Sequence, residues 1–161
     1  MSTGKGAAAG GRRFDSPEQE AFLNLWRTYD RLRALEDELF AGFELTAQQY
    51  NLLRLLKAAR PGAVPTLALA DRLVSRAPDV TRMLDKLEAR ELVSRVRSAE
   101  DRRSVLVEVT DAGLALLARI AAPLRACHAR QLGHLPPADL ERLTDLLKAA
   151  RAPHEPSETW K

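Results

Sequence analysis

Apolar residues recur every three or four positions through most of this chain and every second position in one short stretch, and that change of period predicts the architecture. The first periodic run opens at Ser16-Pro17, where the hydroxyl can cap a helix, proline suits the first helical position and Gln19 completes a capping box. Phe22, Leu25, Trp26, Tyr29, Leu32, Leu39, Phe40 and Phe43 then form one broad stripe, long enough to need another long surface to pack against. Thr46 and Gln49 form a second capping box, with Leu45 and Tyr50 placed for a hydrophobic staple. Leu52, Leu53 and Leu56 continue that helix until Arg60-Pro61-Gly62 stops it. Thr66 is expected to cap a short helix reaching Val74, with Ala70 and Leu73 facing inward.

Ser75 is placed to cap the next helix, with Pro78 in its first turn, where a missing N–H costs little. Val80, Met83, Leu84 and Leu87 fall on one face and leave Arg76, Asp79, Thr81, Arg82 and Lys86 to the others. Two short helices joined by a tight turn, the second polar outward, form a helix-turn-helix pattern. The period then drops to two over residues 92–97 and 104–109, predicting two strands joined by the charged loop 98–103. A hairpin directly after the second helix reads as a wing. Thr110 is expected to cap a long helix with Leu114, Leu117, Ala121 and Leu124 on one face, kinked or interrupted at Pro123 and ended at Gly133. Leu135-Pro136-Pro137 leads into a last helix carrying Leu140, Leu143, Leu146 and Leu147. The fold class expected is mainly α (α+β), a winged helix-turn-helix with a two-stranded wing.

Composition narrows the function by exclusion. Hydrophobic residues at 45% and charged residues at 29% of 161 fit one domain with one core. The net charge of +3 permits a polyanionic partner without demanding one. Between Asp71 and Arg103 nine Lys/Arg face seven Asp/Glu, so an argument for nucleic acid rests on geometry and not on bulk charge. A single cysteine, Cys127, excludes an intrachain disulfide or a cysteine-based zinc cluster, and His128, His134 and His154 lack ligand spacing. No catalytic triad, Gly-rich cofactor loop or metal cluster is present, so neither an enzyme nor a bound cofactor is expected. The start MSTGKGAAAGGRR has no signal-peptide core and no apolar run reaches membrane length; a cytoplasmic protein is expected.

Four stretches carry a family resemblance: LTAQQYNLLRLL, LADRLVSRAPDVTRMLDKLEARELVSR, DRRSVLVEVTDAG and LGHLPPADLERLTDLL. Together, over about residues 18–150, they resemble the MarR family of winged-helix regulators. The resemblance implies a transcription repressor that binds palindromic double-stranded DNA as a homodimer and is released by a small aromatic or anionic effector. A Gly/Ala-rich start and a Pro-containing end with little periodicity read as a disordered tail at 1–16 and a second tail at 152–161, and the resemblance makes 17–151 a single domain. Within the domain, 17–44 and 111–151 would be dimerisation helices and 45–110 the winged helix-turn-helix. One departure stands out, since the family usually has Gly-Leu-Val before the first wing strand and this chain has Glu91-Leu92-Val93. A left-handed Glu91 would cost roughly 1 kcal/mol relative to glycine.

The candidate DNA-binding residues are Ser75, Arg76, Ala77, Pro78, Asp79, Thr81, Arg82 and Lys86 on the recognition helix, and Arg95, Arg97, Asp101, Arg102 and Arg103 on the wing. Arg76 and Arg82 can donate to guanine edges or phosphates, and Asp79 is expected to orient an arginine. By resemblance, Arg103 is expected to enter the minor groove while Asp101 pairs with an arginine to hold the wing. Trp26 and Tyr29 are candidates for an effector pocket, although an apolar stripe there also suits a dimer core. Cys127 reads as a small buried hydrophobe. The competing reading is a winged-helix module that binds another protein and no DNA.

Overall fold

The computed structural model describes residues 13–73 and 79–155. Their elements run α1 (Pro17–Ala41), α2 (Ala47–Ala59), β1 (Val64–Pro65), α3 (Thr66–Arg72), α4 (Val80–Ala89), β2 (Val93–Arg97), β3 (Val105–Val109), α5 (Asp111–Leu132) and α6 (Pro137–Arg151), with a short 3-10 turn at Ala152–His154. The chain divides into two units, Met1–Ala34 and Leu35–Lys161.

In the first unit the helix start departs from the expected box. Ser16 Oγ accepts from Gln19 N as expected, but Gln19 Oε1 accepts from Asp15 N, one residue earlier than the cap. Phe22, Leu25, Trp26 and Tyr29 are all exposed.

In the second unit the core gathers the apolar faces of α2, α3, α4 and α5 against the sheet. Leu52, Leu53, Leu56, Leu69, Leu84, Leu87, Val107 and Ile120 are fully enclosed or nearly so. The α2 start follows its expected box, with Thr46 and Gln49 bonded reciprocally. Two faces keep Leu73, Leu117 and Leu124 inward as expected and differ at one residue each. On α3 Leu69 and Leu73 are buried while Ala70 is exposed, because the helix begins at Thr66 and i, i+4 spacing sets its inner side. On α5 the inner residues are Gly113, Leu116, Leu117, Ile120, Leu124 and Cys127, and Ala121 faces out. Pro123 does not interrupt α5; it sits on the exposed side, where loss of one backbone donor to Arg119 O is tolerable next to water.

The sheet has three antiparallel strands in the order β1-β3-β2. Val93 pairs with Val109, Arg95 with Val107 and Arg97 with Val105, while Val64 and Pro65 pair with Val107 and Leu106 on the other edge of β3. The two-residue β1 is too short to show a period, which is why the pattern predicts only the hairpin. Thr66 does not cap α3: its hydroxyl donates to Val105 O at 3.1 Å, fixing the start of α3 to the wing.

Candidate nucleic-acid interface

The helix α4 is strongly two-sided. Leu84 and Leu87 have no exposure, while Thr81, Arg82 and Lys86 stand in solvent. Its cap is Asp79 and not Ser75: Asp79 Oδ1 accepts from Arg82 N at 2.8 Å, satisfying an N-terminal amide as well as a serine could. The second carboxylate oxygen lies 3.4 Å from Arg82 Nε, so Asp79 both caps the helix and orients that guanidinium. Ser75, Arg76, Ala77 and Pro78 lie outside the described residues, as does Val74.

At its other end α4 closes into a tight junction. Glu91 has φ 57°, Glu91 N donates to Glu88 O and Leu92 N donates to Leu87 O, the pair of bonds that defines a Schellman ending. The same geometry closes α1, where Glu44 has φ 55°, Glu44 N reaches Ala41 O and Leu45 N reaches Phe40 O. Arg90 joins the two ends, its guanidinium donating to Glu44 O at 2.6 Å and to Phe43 O at 3.3 Å. Thr110, the cap of α5, donates through its hydroxyl to Glu91 O and through its amide to Leu92 O. Gly113 must be glycine here, since a Cβ would stand 2.3 Å from Leu92 O.

The wing carries its arginines in two different states. Arg95 is engaged: Nε and Nη2 donate to Glu88 Oε2, and Nη2 also reaches Asp85 Oδ1 at 2.6 Å. Those bonds hold the Glu88 carboxyl below its ordinary range, and the two carboxylates push the Arg95 guanidinium further up. Arg97, Arg102 and Arg103 are exposed. Between them the loop is built by its own polar groups. Ser98 Oγ accepts from Glu100 N and Asp101 N, Ser104 N donates to Asp101 O, and Asp101 Oδ1 accepts from Arg103 N at 2.9 Å. Asp101 thus holds the turn through the backbone of Arg103, where the sequence suggested a guanidinium.

Trp26 borders a cavity of about 660 Å³ in the first unit, with Phe14, Leu23 and Asn24, where Arg13, Arg27 and Arg31 are accompanied by Glu20 and Asp30, whereas Tyr29 is not part of its lining. Burial, reinforced by nearby Glu36, pushes the Cys127 thiol up, which keeps thiolate scarce at neutral pH. Beside it His128 Nε2 lies 2.9 Å from Glu36 Oε1. Among the described residues no group of three His, Cys, Asp or Glu could hold a metal, and no helix is long and apolar enough to cross a membrane. Sequence reasoning missed Arg90, Glu44 and the partners of Arg95, because each contact joins different elements and leaves no periodic trace.

Known proteins share this arrangement. The model of the MarR family matches residues 45–105, which hold α2 to the start of β3. A MarR transcription factor from Planctomyces limnophilus is 54% identical, with a TM-score of 0.67 over 85% of this chain and 99% of its own. The HTH-type transcriptional regulator YkoM of Bacillus subtilis is 31% identical over 144 residues, covering 85% of this chain and 90% of its own. BpsR of Bordetella bronchiseptica, whose DNA binding is regulated by 6-hydroxynicotinic acid, is 26% identical with a TM-score of 0.72 over 81% of this chain and 98% of its own. Matched at these identities over most of both chains, the chain belongs to the MarR family of transcription regulators, which are not enzymes.

Proposed function

We propose that this regulator is a cytoplasmic repressor that binds palindromic duplex DNA as a homodimer and is released by a small aromatic or anionic molecule. In this reading 45–110 is the winged helix-turn-helix, and 17–44 with 111–151 form the dimerisation helices. The recognition helix enters the major groove with Thr81, Arg82 and Lys86, joined by Ser75, Arg76, Ala77, Pro78 and Asp79 from the sequence just before it. The wing reaches the flanking minor groove with Arg102 and Arg103. The observation that carries the reading is the division of the basic residues: Arg95 is tied to carboxylates, while Arg82, Lys86, Arg97, Arg102 and Arg103 are exposed on α4 and the wing. The effector part draws on the likeness to BpsR and on the cavity beside Trp26.

The test is selection of bound duplexes from a random pool, followed by affinity measurements at several salt concentrations. A palindromic consensus is expected. Arg103→Ala should weaken binding broadly and flatten the salt dependence by about one phosphate equivalent. Arg76→Ala should cost about 1–3 kcal/mol on the selected site and relax preference at one base pair per half-site. Alanine variants that bind like the parent would overturn the assigned surface and favour a protein-interaction module.

A further inference from the structure

We propose that Arg95 is a positioning residue for DNA binding, which fixes the wing against α4 through Glu88 and Asp85 and does not itself touch the duplex. The proposal rests on the DNA-binding reading above and assigns within it how the wing is aimed.

Among the described residues, the apolar packing of the wing into the core lies near its root. Val93, Val107 and Val109 are buried, but towards the tip Val96 is 59% exposed and Arg97 lies in solvent. On the β3 side the hairpin is tied laterally by β1 and by the Thr66 hydroxyl on Val105 O. On the β2 side the tie is Arg95, whose fork spans two carboxylates one helical turn apart on α4. Beyond Arg95 the wing extends two more strand residues to Arg97 and then the turn, roughly 10 Å in all, so a tilt of about 10° at the root would carry the tip about 2 Å. A shift of that size is enough to break a guanidinium hydrogen bond in the minor groove, whose donor–acceptor distance is about 3 Å.

Charge points the same way. Arg95 has only a quarter of its side chain exposed, and its donors already face two acceptors. A direct phosphate contact would require it to leave Glu88 and Asp85, exposing two carboxylates on the helix that approaches the DNA.

The test uses the full chain and the duplex selected by the parent, with Arg103→Ala, Arg95→Gln, their double variant and Glu88→Gln. Arg95→Gln is expected to weaken binding about tenfold, as Arg103→Ala does, and the double variant about tenfold and not a hundredfold, because both remove the same wing contact. The salt dependence should flatten by about one equivalent in all three. Glu88→Gln should also weaken binding, several-fold, although it removes a negative charge. An Arg95 that touches DNA gives the opposite pattern: additive losses with Arg103→Ala, and tighter binding when Glu88→Gln frees the guanidinium. Either of those results overturns the proposal while leaving DNA binding intact. A parent that retains no duplex overturns both. If Arg95→Gln does not fold, Glu88→Gln and Asp85→Asn probe the same clamp with Arg95 still present.

Discussion

Helices α1 and α4 carry similar apolar spacing and meet different fates. On α4 the residues at i, i+3, i+4 and i+7 end in the core, with Leu84 and Leu87 wholly enclosed. On the first turns of α1, Phe22 is 61%, Leu25 48%, Trp26 62% and Tyr29 60% exposed. Apolar helical spacing therefore tells that a face will be covered, and leaves open whether the cover is the same chain. A row of four large apolar side chains in water is costly, about 1.5–3 kcal/mol for each fully buried equivalent. A second copy of the chain supplies the missing surface in the reading proposed here. The last helix points the same way, since α6 buries no residue and leaves Leu146 59% exposed.

Substitutions on the two helices separate these fates. Leu87→Ala should lower the unfolding free energy by about 2–5 kcal/mol in denaturant titration, since it opens a cavity in a packed core. Trp26→Glu should leave the winged-helix core folded and raise the dimer dissociation constant about a hundredfold by sedimentation, the effect expected of a central aromatic anchor. A Trp26→Glu protein that unfolds with the core would erase the distinction. One that stays fully dimeric would place the dimer contact elsewhere.

A smaller effect sharpens the comparison at the helix ends. Both α1 and α4 close on a left-handed glutamate, Glu44 and Glu91, and neither side chain gains from that backbone. Glu91→Gly and Glu44→Gly should each raise stability by about 1 kcal/mol by thermal melting. Loss of stability in either would reveal a carboxylate contact worth more than the relief of the backbone.

The smallest effect is a pH dependence at the Arg95 clamp. The Glu88 carboxyl is depressed below its ordinary 4.5 by its hydrogen bonds from Arg95. Its contribution is therefore fully present above that value and is lost as pH falls through the lower, folded-state value. Melting temperatures of the parent and of Glu88→Gln should differ by a constant amount above about pH 5 and converge on further acidification. A difference that persists unchanged below pH 3 would mean that protonation of Glu88 does not break the clamp.

Much of this was legible in advance, for local reasons. The boundaries of α2, the hairpin and the start of α5 follow from capping residues and from the shift between helical and strand periods. The left-handed position 91 was visible because the chain departs from glycine where a helix must turn into a strand. Glu44 obeys the same physics, but no comparable departure in the sequence marks it. Leu73, Leu117 and Leu124 face inward as expected, while Ala70 and Ala121 turn out, because a short or continuously apolar helix offers several nearly equal stripes.

The sequence by itself determined the order of the helices and the hairpin, the caps of α2 and α5 and the charged wing tip, because each depends on neighbours within about one helical turn or across one hairpin. Only the tertiary structure decided which charges are spent. Arg95 and Arg97 are alike in type and two residues apart on one strand, yet Arg95 reaches Glu88 and Asp85 while Arg97 stays in solvent. Alternation along β2 puts both on the same side, and what separates them is where α4 passes beneath the sheet. The same holds for Arg90, whose hydrogen bonds fall 46 and 47 residues away on the end of α1. Such contacts are set by the docking of whole elements through their apolar faces, and a linear pattern carries no record of the distance at which two docked elements bring a guanidinium to its acceptor.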